Sequence, residues 1–170
     1  MKKALIVIDM QNDFIDGALG TDEAQKIVPQ VKAKIKEAEQ NGTNVIFTRD
    51  THNSLYLHTQ EGKNLPVEHC IEGTKGHEIH NDLKQECSVI FDKPTFGSIA
   101  LANFITDSCV TEIELCGVCT DICVISNALL LKAFLPEAKI TVDSSCCAGT
   151  TPQNHENALS AMRMCQINII

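Results

Sequence analysis

Short β-branched runs alternate with longer stretches of helical periodicity along the whole chain, and this alternation limits the fold more than any other feature. Ala4–Asp9 (ALIVID) is almost wholly apolar, as a strand covered on both faces should be. Asn44–Asp50 (NVIFTRD), Ser88–Lys93 (SVIFDK), Glu112–Val118 and Lys139–Ser144 (KITVDS) read as further strands, and Asn168–Ile170 as a short last one. Between them the pattern predicts helices. Pro29 suits a first helical position, and Val31, Ile35 and Ala38 recur at helical spacing until Asn41-Gly42 stops them. A second helix covers Ser98–Thr106, and a strongly apolar third runs from Asp121 to Leu135. Thr151 and Pro152 open a fourth as N-cap and N1, turning Ala158, Ala161 and Met162 inward. Strands alternating with helices imply right-handed crossovers. The expected class is α/β, a three-layer, mostly parallel sheet with helices on both faces.

The chain has 170 residues, suiting a single domain over 1–170. The one stretch without periodicity is Thr51–Lys75, an insertion holding three of the six histidines. A long irregular segment inside a compact domain usually carries function.

Nine cysteines are an odd count that cannot pair fully within one chain, and the Ala4–Ile8 run is cut off by Asp9 too soon for a secretory leader. Free thiols in a reducing, cytoplasmic setting are the expectation. With 14 basic against 22 acidic side chains and no Lys/Arg run, neither nucleic acid nor an anionic membrane is an expected partner. No apolar run approaches the length of a membrane span. The helix after Cys123 is apolar nearly all round, which fits either full burial or a homo-oligomer contact.

Ligands in open α/β sheets sit beyond the carboxyl ends of the strands. Those ends carry Asp9, then Asp50 with Thr51 and His52, then Asp92 and Lys93, then Gly117-Val118 leading through Cys119 and Thr120 to Cys123. An acid, a base and a thiol on one edge suit nucleophilic chemistry. With Thr120 as cap, Cys123 would fall at the third helical position, where free N–H groups and the helix dipole favour a thiolate. Asp9 could then take the thiol proton and Lys93 hold Asp9 in place. The bland reading of Cys123 is a small packed hydrophobe.

Cys116-Gly-Val-Cys119 could be a redox pair or half a zinc site, but its first cysteine falls inside a strand and no second C-x-x-C completes four thiolates. In the insertion, Asp50 and His52 stand two apart on extended chain and point the same way, with His58, Glu61 and His69 following. Two histidines with carboxylates suit one divalent ion, Zn²⁺ first, with Mn²⁺ or Fe²⁺ as alternatives.

Asp9 in IVIDMQNDF, Asp50 and His52 in TRDTH, His69 in HCIEGT, Lys93 in FDKPTFGS and Cys123 in GVCTDICV, in this order, resemble the isochorismatase-like cysteine hydrolases and, within them, the nicotinamidases. The resemblance spans nearly the whole chain and implies their Rossmann-like fold. It implies a triad of Asp9 as proton acceptor, Lys93 as electrostatic partner and Cys123 as nucleophile. It also implies a cis Val118–Cys119 peptide, with an oxyanion hole from the Cys119 and Cys123 amides. The implied metal ligands are Asp50, His52 and His69, with Glu61 favoured over His58 as the fourth. Substrate contacts would come from Phe14 and Phe96. A tryptophan usual in nicotinamidases is absent, Leu65 and Pro66 standing in its region. The implied activity is hydrolysis of a small-molecule amide, nicotinamide first, which belongs to NAD salvage. The alternatives are a carbamoyl or ureido substrate on the same triad, or a thiol-based metal-binding or redox module.

Overall fold

A computed structural model describes residues 2–85 and 88–170. Cys87, one of the nine cysteines, lies outside the described residues. In chain order the elements are β1 (Lys3–Ile8), α1 (Asn12–Ile15), α2 (Asp22–Gln40), β2 (Asn44–Asp50), α3 (Gln60–Asn64) and β3 (Val89–Lys93), followed by α4 (Ile99–Asp107), β4 (Glu112–Val118), α5 (Ile125–Phe134), β5 (Lys139–Ala148), α6 (Pro152–Met164) and β6 (Asn168–Ile169).

The strands form one six-stranded sheet in the order β3-β2-β1-β4-β5-β6, and every neighbouring pair is parallel. Strand order reverses at β1. Right-handed crossovers therefore put α2 on one face and α4, α5 and α6 on the other. Accordingly α2 lies across β1, β2, β4 and β5, while α4 packs on α5 and α5 on α6. Ala4–Ile8 are all buried, as a central strand between two helical layers requires. Among the described residues no helix is long and apolar enough to cross a membrane.

The differences from the sequence reading have local causes. The first long helix does not begin at Pro29 but at Asp22, where the Thr21 hydroxyl accepts the Ala24 N–H at 3.0 Å. Pro29 lies inside it, giving up one main-chain bond while Ile27, Val28 and Val31 stay buried on the core side. The insertion is not irregular throughout: a 3₁₀ turn spans Tyr56–His58 and α3 follows, capped by Thr59. β5 runs to Ala148, past Ser144, through an irregularity where pairing jumps from Leu115↔Val142 to Gly117↔Cys147. On α6 the buried residues are Ala158, Leu159 and Met162, and Ala161 faces out. The apolar α5 buries Asn127, Ala128 and Leu131 but leaves Leu129 and Phe134 exposed.

Candidate active site

The reversal of strand order opens a cleft between the carboxyl ends of β1 and β4, and the chain is shaped to line it. β4 passes so close to β1 that a Cβ at Gly117 would stand 2.1 Å from the Ile8 carbonyl oxygen. Gly117 also has φ +120°, which a side chain would oppose. The next peptide, Val118–Cys119, is cis. Asp9, the residue after β1, has φ +48°, which turns its side chain out of the strand pattern and into the cleft.

Asp9, Lys93 and Cys123 meet there, almost without access to solvent. Lys93 Nζ lies 2.6 Å from Asp9 Oδ2, 3.5 Å from Cys123 Sγ and 3.5 Å from Asp50 Oδ1. Asp9 Oδ1 accepts the Thr48 hydroxyl at 2.6 Å. Apart from the Lys93 charge, Oδ2 has no well-aligned hydrogen bond among the described residues, so it could receive the thiol proton.

Burial is the largest influence on Asp9 and pushes its carboxyl up, outweighing Lys93. Burial also pushes the Cys123 thiol well above its ordinary value, and the Asp9 charge adds to that. Lys93 is held protonated: burial disfavours its charge, but Asp9, Cys123 and Asp50 together outweigh burial. Enclosure therefore works against the thiolate expected at a helix N-terminus. Cys119, not Thr120, occupies the cap position, and Thr120–Val124 is a wide turn with π-type bonding. Thr120 instead binds His155 of α6, Oγ1 to Nδ1 at 2.8 Å. Enclosure thus favours the neutral Cys123 thiol, beside a carboxylate of raised proton affinity.

The second cluster begins one strand away. Asp50 pairs across the sheet with Lys93. Its Oδ2 lies 3.1 Å from His52 Nε2 and 3.5 Å from His69 Nε2, while Glu61 Oε1, on α3, stands 3.7 and 3.9 Å from the same nitrogens. One donor atom from each of Asp50, His52, Glu61 and His69 falls within 4.8 Å of the others. His58, on the neighbouring 3₁₀ turn, is exposed and outside this group. His69 Nδ1 donates to the Val67 carbonyl at 2.8 Å, which turns Nε2 toward Asp50 and Glu61. Tyr56 packs against both imidazoles at 4.6 and 4.9 Å and anchors its hydroxyl on the Leu65 carbonyl at 2.9 Å.

Two imidazoles and two carboxylates, Asp50 buried and Glu61 partly exposed, could hold a divalent ion. The charges fit too: burial first, then the Asp50 charge, push Glu61 upward, a conflict that a dication would relieve. Among the described residues no group containing cysteine has this form. Cys116 and Cys119 do not form such a pair: Cys116 is fully buried in β4, with its charge neighbours Cys146 and Cys147 in β5. The eight described cysteines are all free thiols.

Both clusters open into a cavity of about 670 Å³, whose lining includes Asp50, Glu61, His69, Cys119 and Cys123. Phe14 and Phe96 line it as well, Phe14 buried against His69 with ring centres 5.5 Å apart and Phe96 exposed at the mouth. Leu65 lines the wall where a larger ring was missing from the sequence. A second hollow, of about 560 Å³, lies at the amino ends of β1, β4 and β5 and contains none of the candidate residues.

Sequence reading passed over several residues that hold this arrangement. Gln11, Asn12 and Asp13 follow Asp9 in the quoted motif and stitch the insertion to the sheet, reaching respectively Asp50 and His77, Lys75, and the Cys70 N–H. Asp121 clamps Thr150 through its N–H at 2.8 Å and its hydroxyl at 2.5 Å, fixing the β5–α6 loop at the cavity edge.

The isochorismatase domain model matches residues 3–170. An uncharacterized isochorismatase family protein, PncA, of Bacillus subtilis is 31% identical over 94% of this chain and 93% of its own. A nicotinamidase of Escherichia coli is 26% identical over 95% of this chain and 90% of its own. The crystal structure of a pyrazinamidase of Pyrococcus horikoshii in complex with zinc is 31% identical and superposes with a TM-score of 0.87, covering 100% of this chain and 99% of that one.

Proposed function

The chain belongs to the isochorismatase family, and we propose that within it this protein is a cysteine amidohydrolase converting nicotinamide to nicotinate and ammonia. The observation that carries the reading is one lysine ammonium bridging a base and a thiol, 2.6 Å from Asp9 and 3.5 Å from Cys123, the thiol opening on the cavity that the metal-type donor group also lines. The nicotinamidase of Escherichia coli and the zinc-bound pyrazinamidase of Pyrococcus horikoshii support the substrate class.

Asp9 takes the Cys123 proton as the sulfur attacks the amide carbon. The Lys93 charge stabilises the negative charge as it passes from Asp9 to the sulfur. The backbone N–H groups of Cys119 and Cys123 are the proposed donors to the developing oxyanion. Protonated Asp9 then returns the proton to the amide nitrogen, the C–N bond breaks, and ammonia leaves a thioester on Cys123. Water, deprotonated by Asp9, adds to the thioester carbonyl; the C–S bond breaks, the sulfur regains a proton, and nicotinate departs. Phe14 and Phe96 are the proposed walls for the ring. Asp50, His52, Glu61 and His69 would hold a divalent ion, Zn²⁺ by donor type, which when bound supplies a Lewis-acid anchor for the pyridine nitrogen. The free thiols suit work in a reducing cytoplasm.

The test is ammonia and nicotinate release from nicotinamide by the zinc-loaded protein, beside a small ureido compound. We expect turnover of nicotinamide and its loss in Cys123→Ala. A Cys123→Ala variant that still turns over sinks the mechanism, and preference for the ureido compound sinks the substrate.

A further inference from the structure

Two buried polar side chains lie next to the chemistry without entering it. Gln11 and Thr48 are each 0% exposed, and they stand on opposite members of the central β1/β2 pair. Thr48, in β2, donates its hydroxyl to Asp9 Oδ1 at 2.6 Å and accepts the Asp9 N–H at 3.2 Å. Gln11, just beyond β1, accepts the Asp50 N–H at 2.7 Å and donates to the Asp50 carbonyl at 2.8 Å. Its amide also reaches the His77 carbonyl at 2.9 Å. The aspartate ending each strand is therefore held by a polar residue of the other.

The two grips differ in kind. Thr48 occupies one carboxylate oxygen of Asp9, so the oxygen left over, Oδ2, is the one that meets Lys93 and carries no further aligned bond. Gln11 leaves the Asp50 carboxylate alone and fixes the main chain on both sides of its Cα. The side chain can then divide its oxygens, Oδ1 toward Lys93 and Oδ2 toward His52 and His69. Losing one partner of such buried bonds leaves the other unsatisfied, so neither residue is a neutral filler.

We propose that Thr48 and Gln11 are a reciprocal pair of positioning residues: Thr48 aims the Asp9 base at the Cys123 thiol, and Gln11 seats the carboxylate that Lys93 shares with the donor group. The roles assigned to Asp9 and Asp50 are those of the proposed function, and this inference rests on them.

The test uses the full chain as Thr48→Val, Thr48→Ser, Gln11→Met and Gln11→Glu, each checked by thermal melting. Three quantities are read: kcat and KM for nicotinamide, affinity for Zn²⁺ alone in competition with a chelator, and the rate of iodoacetamide alkylation at Cys123 without substrate, followed by peptide mass spectrometry. Thr48→Val should lower kcat and the alkylation rate about 10–100-fold while KM and Zn²⁺ affinity move less than about threefold, and Thr48→Ser should recover most of the loss. Gln11→Met should weaken Zn²⁺ about 10–100-fold and raise KM, with alkylation within about threefold; Gln11→Glu, which keeps the acceptor for the Asp50 N–H, should fall between.

Variants that shift all three quantities alike, or a Thr48→Ser that recovers nothing, would reduce both residues to structural fillers and overturn the pairing. If the wild type ignores nicotinamide, the substrate assignment fails, while alkylation and Zn²⁺ affinity still decide the pair.

Discussion

Asp9 and Asp50 end adjacent strands, share Lys93 as a partner, and are both almost fully buried. Their proton affinities are nevertheless driven apart. Asp9 has one hydroxyl and one ammonium about it, and burial prevails, raising its carboxyl. Burial is the largest single influence on Asp50 as well, but hydrogen bonds from His52 and His69 and the Lys93 charge together hold it well below the usual carboxylate range. A carboxylate that gives up its charge readily suits a proton carrier, and one that never does suits a cation ligand. Two identical side chains are thus suited to different work because their neighbours differ.

The sharpest way to break this comparison is to neutralise each aspartate in turn. Asp9→Asn should lower kcat about 10³–10⁴-fold, at the upper end for loss of a general base, with Zn²⁺ affinity kept within a few-fold. Equal loss of Zn²⁺ binding would show that the two carboxylates are not separate in function. Pre-steady-state ammonia release and metal analysis of the same preparation would decide it.

Lys93 links the two halves, and removing it should be felt by both. Lys93→Met leaves Asp9 and Asp50 facing each other without the cation between them, and an uncompensated buried charge costs about 3–5 kcal/mol. A urea-unfolding midpoint unchanged from the wild type would mean that one of the two aspartates is already neutral. Asp50→Asn is milder for the fold. It should weaken Zn²⁺ at least about 100-fold, or about 2.7 kcal/mol, while Cys123 keeps reacting with iodoacetamide.

Much of this geometry was legible in the chain, and the reason for the remainder is physical. The five apolar residues before Asp9 could only be a covered strand, and the polar residues at strand ends were bound to converge on one edge. Glu61 could be preferred to His58 on charge, although the turn and helix that place one inward and the other outward could not be read from their spacing. Thr48 and Gln11 were invisible because their partners are set by register: pairing Val7 with Phe47 brings Asp9 beside Thr48. Pairing register is a property of two strands and is written in neither. The ionisation of Cys123 is hidden from the sequence for a related reason. A position at a helix start argues for a thiolate, but the burial and the Asp9 charge that oppose it come from residues distant in the sequence.

A third aspartate tests whether neighbours alone account for the contrast. Asp143, at the β5 irregularity and outside the lining of the cavity, lies 2.6 Å from Lys34, which also meets Glu114 at 2.5 Å. Burial works upward on Asp143, but Lys34 and the Ser145 hydroxyl and N–H outweigh it, so its carboxyl is lowered as Asp50's is. No reaction is involved, and the whole effect should appear in stability. A carboxyl with a folded value below its unfolded one, about 3.9, stabilises the fold above that value and loses its contribution as pH falls through the lower, folded one. The pair is partly open to solvent, so its worth should be about 1 kcal/mol. Asp143→Asn should therefore unfold at lower urea than the wild type at pH 7. The gap should narrow steadily below about pH 4 and close once the wild-type carboxyl is protonated. Its catalytic constants should match the wild type at neutral pH. A gap that stays constant down to pH 3 would mean that Asn fails by shape and not by charge, and the account of Asp50 by its neighbours' charges would lose its control.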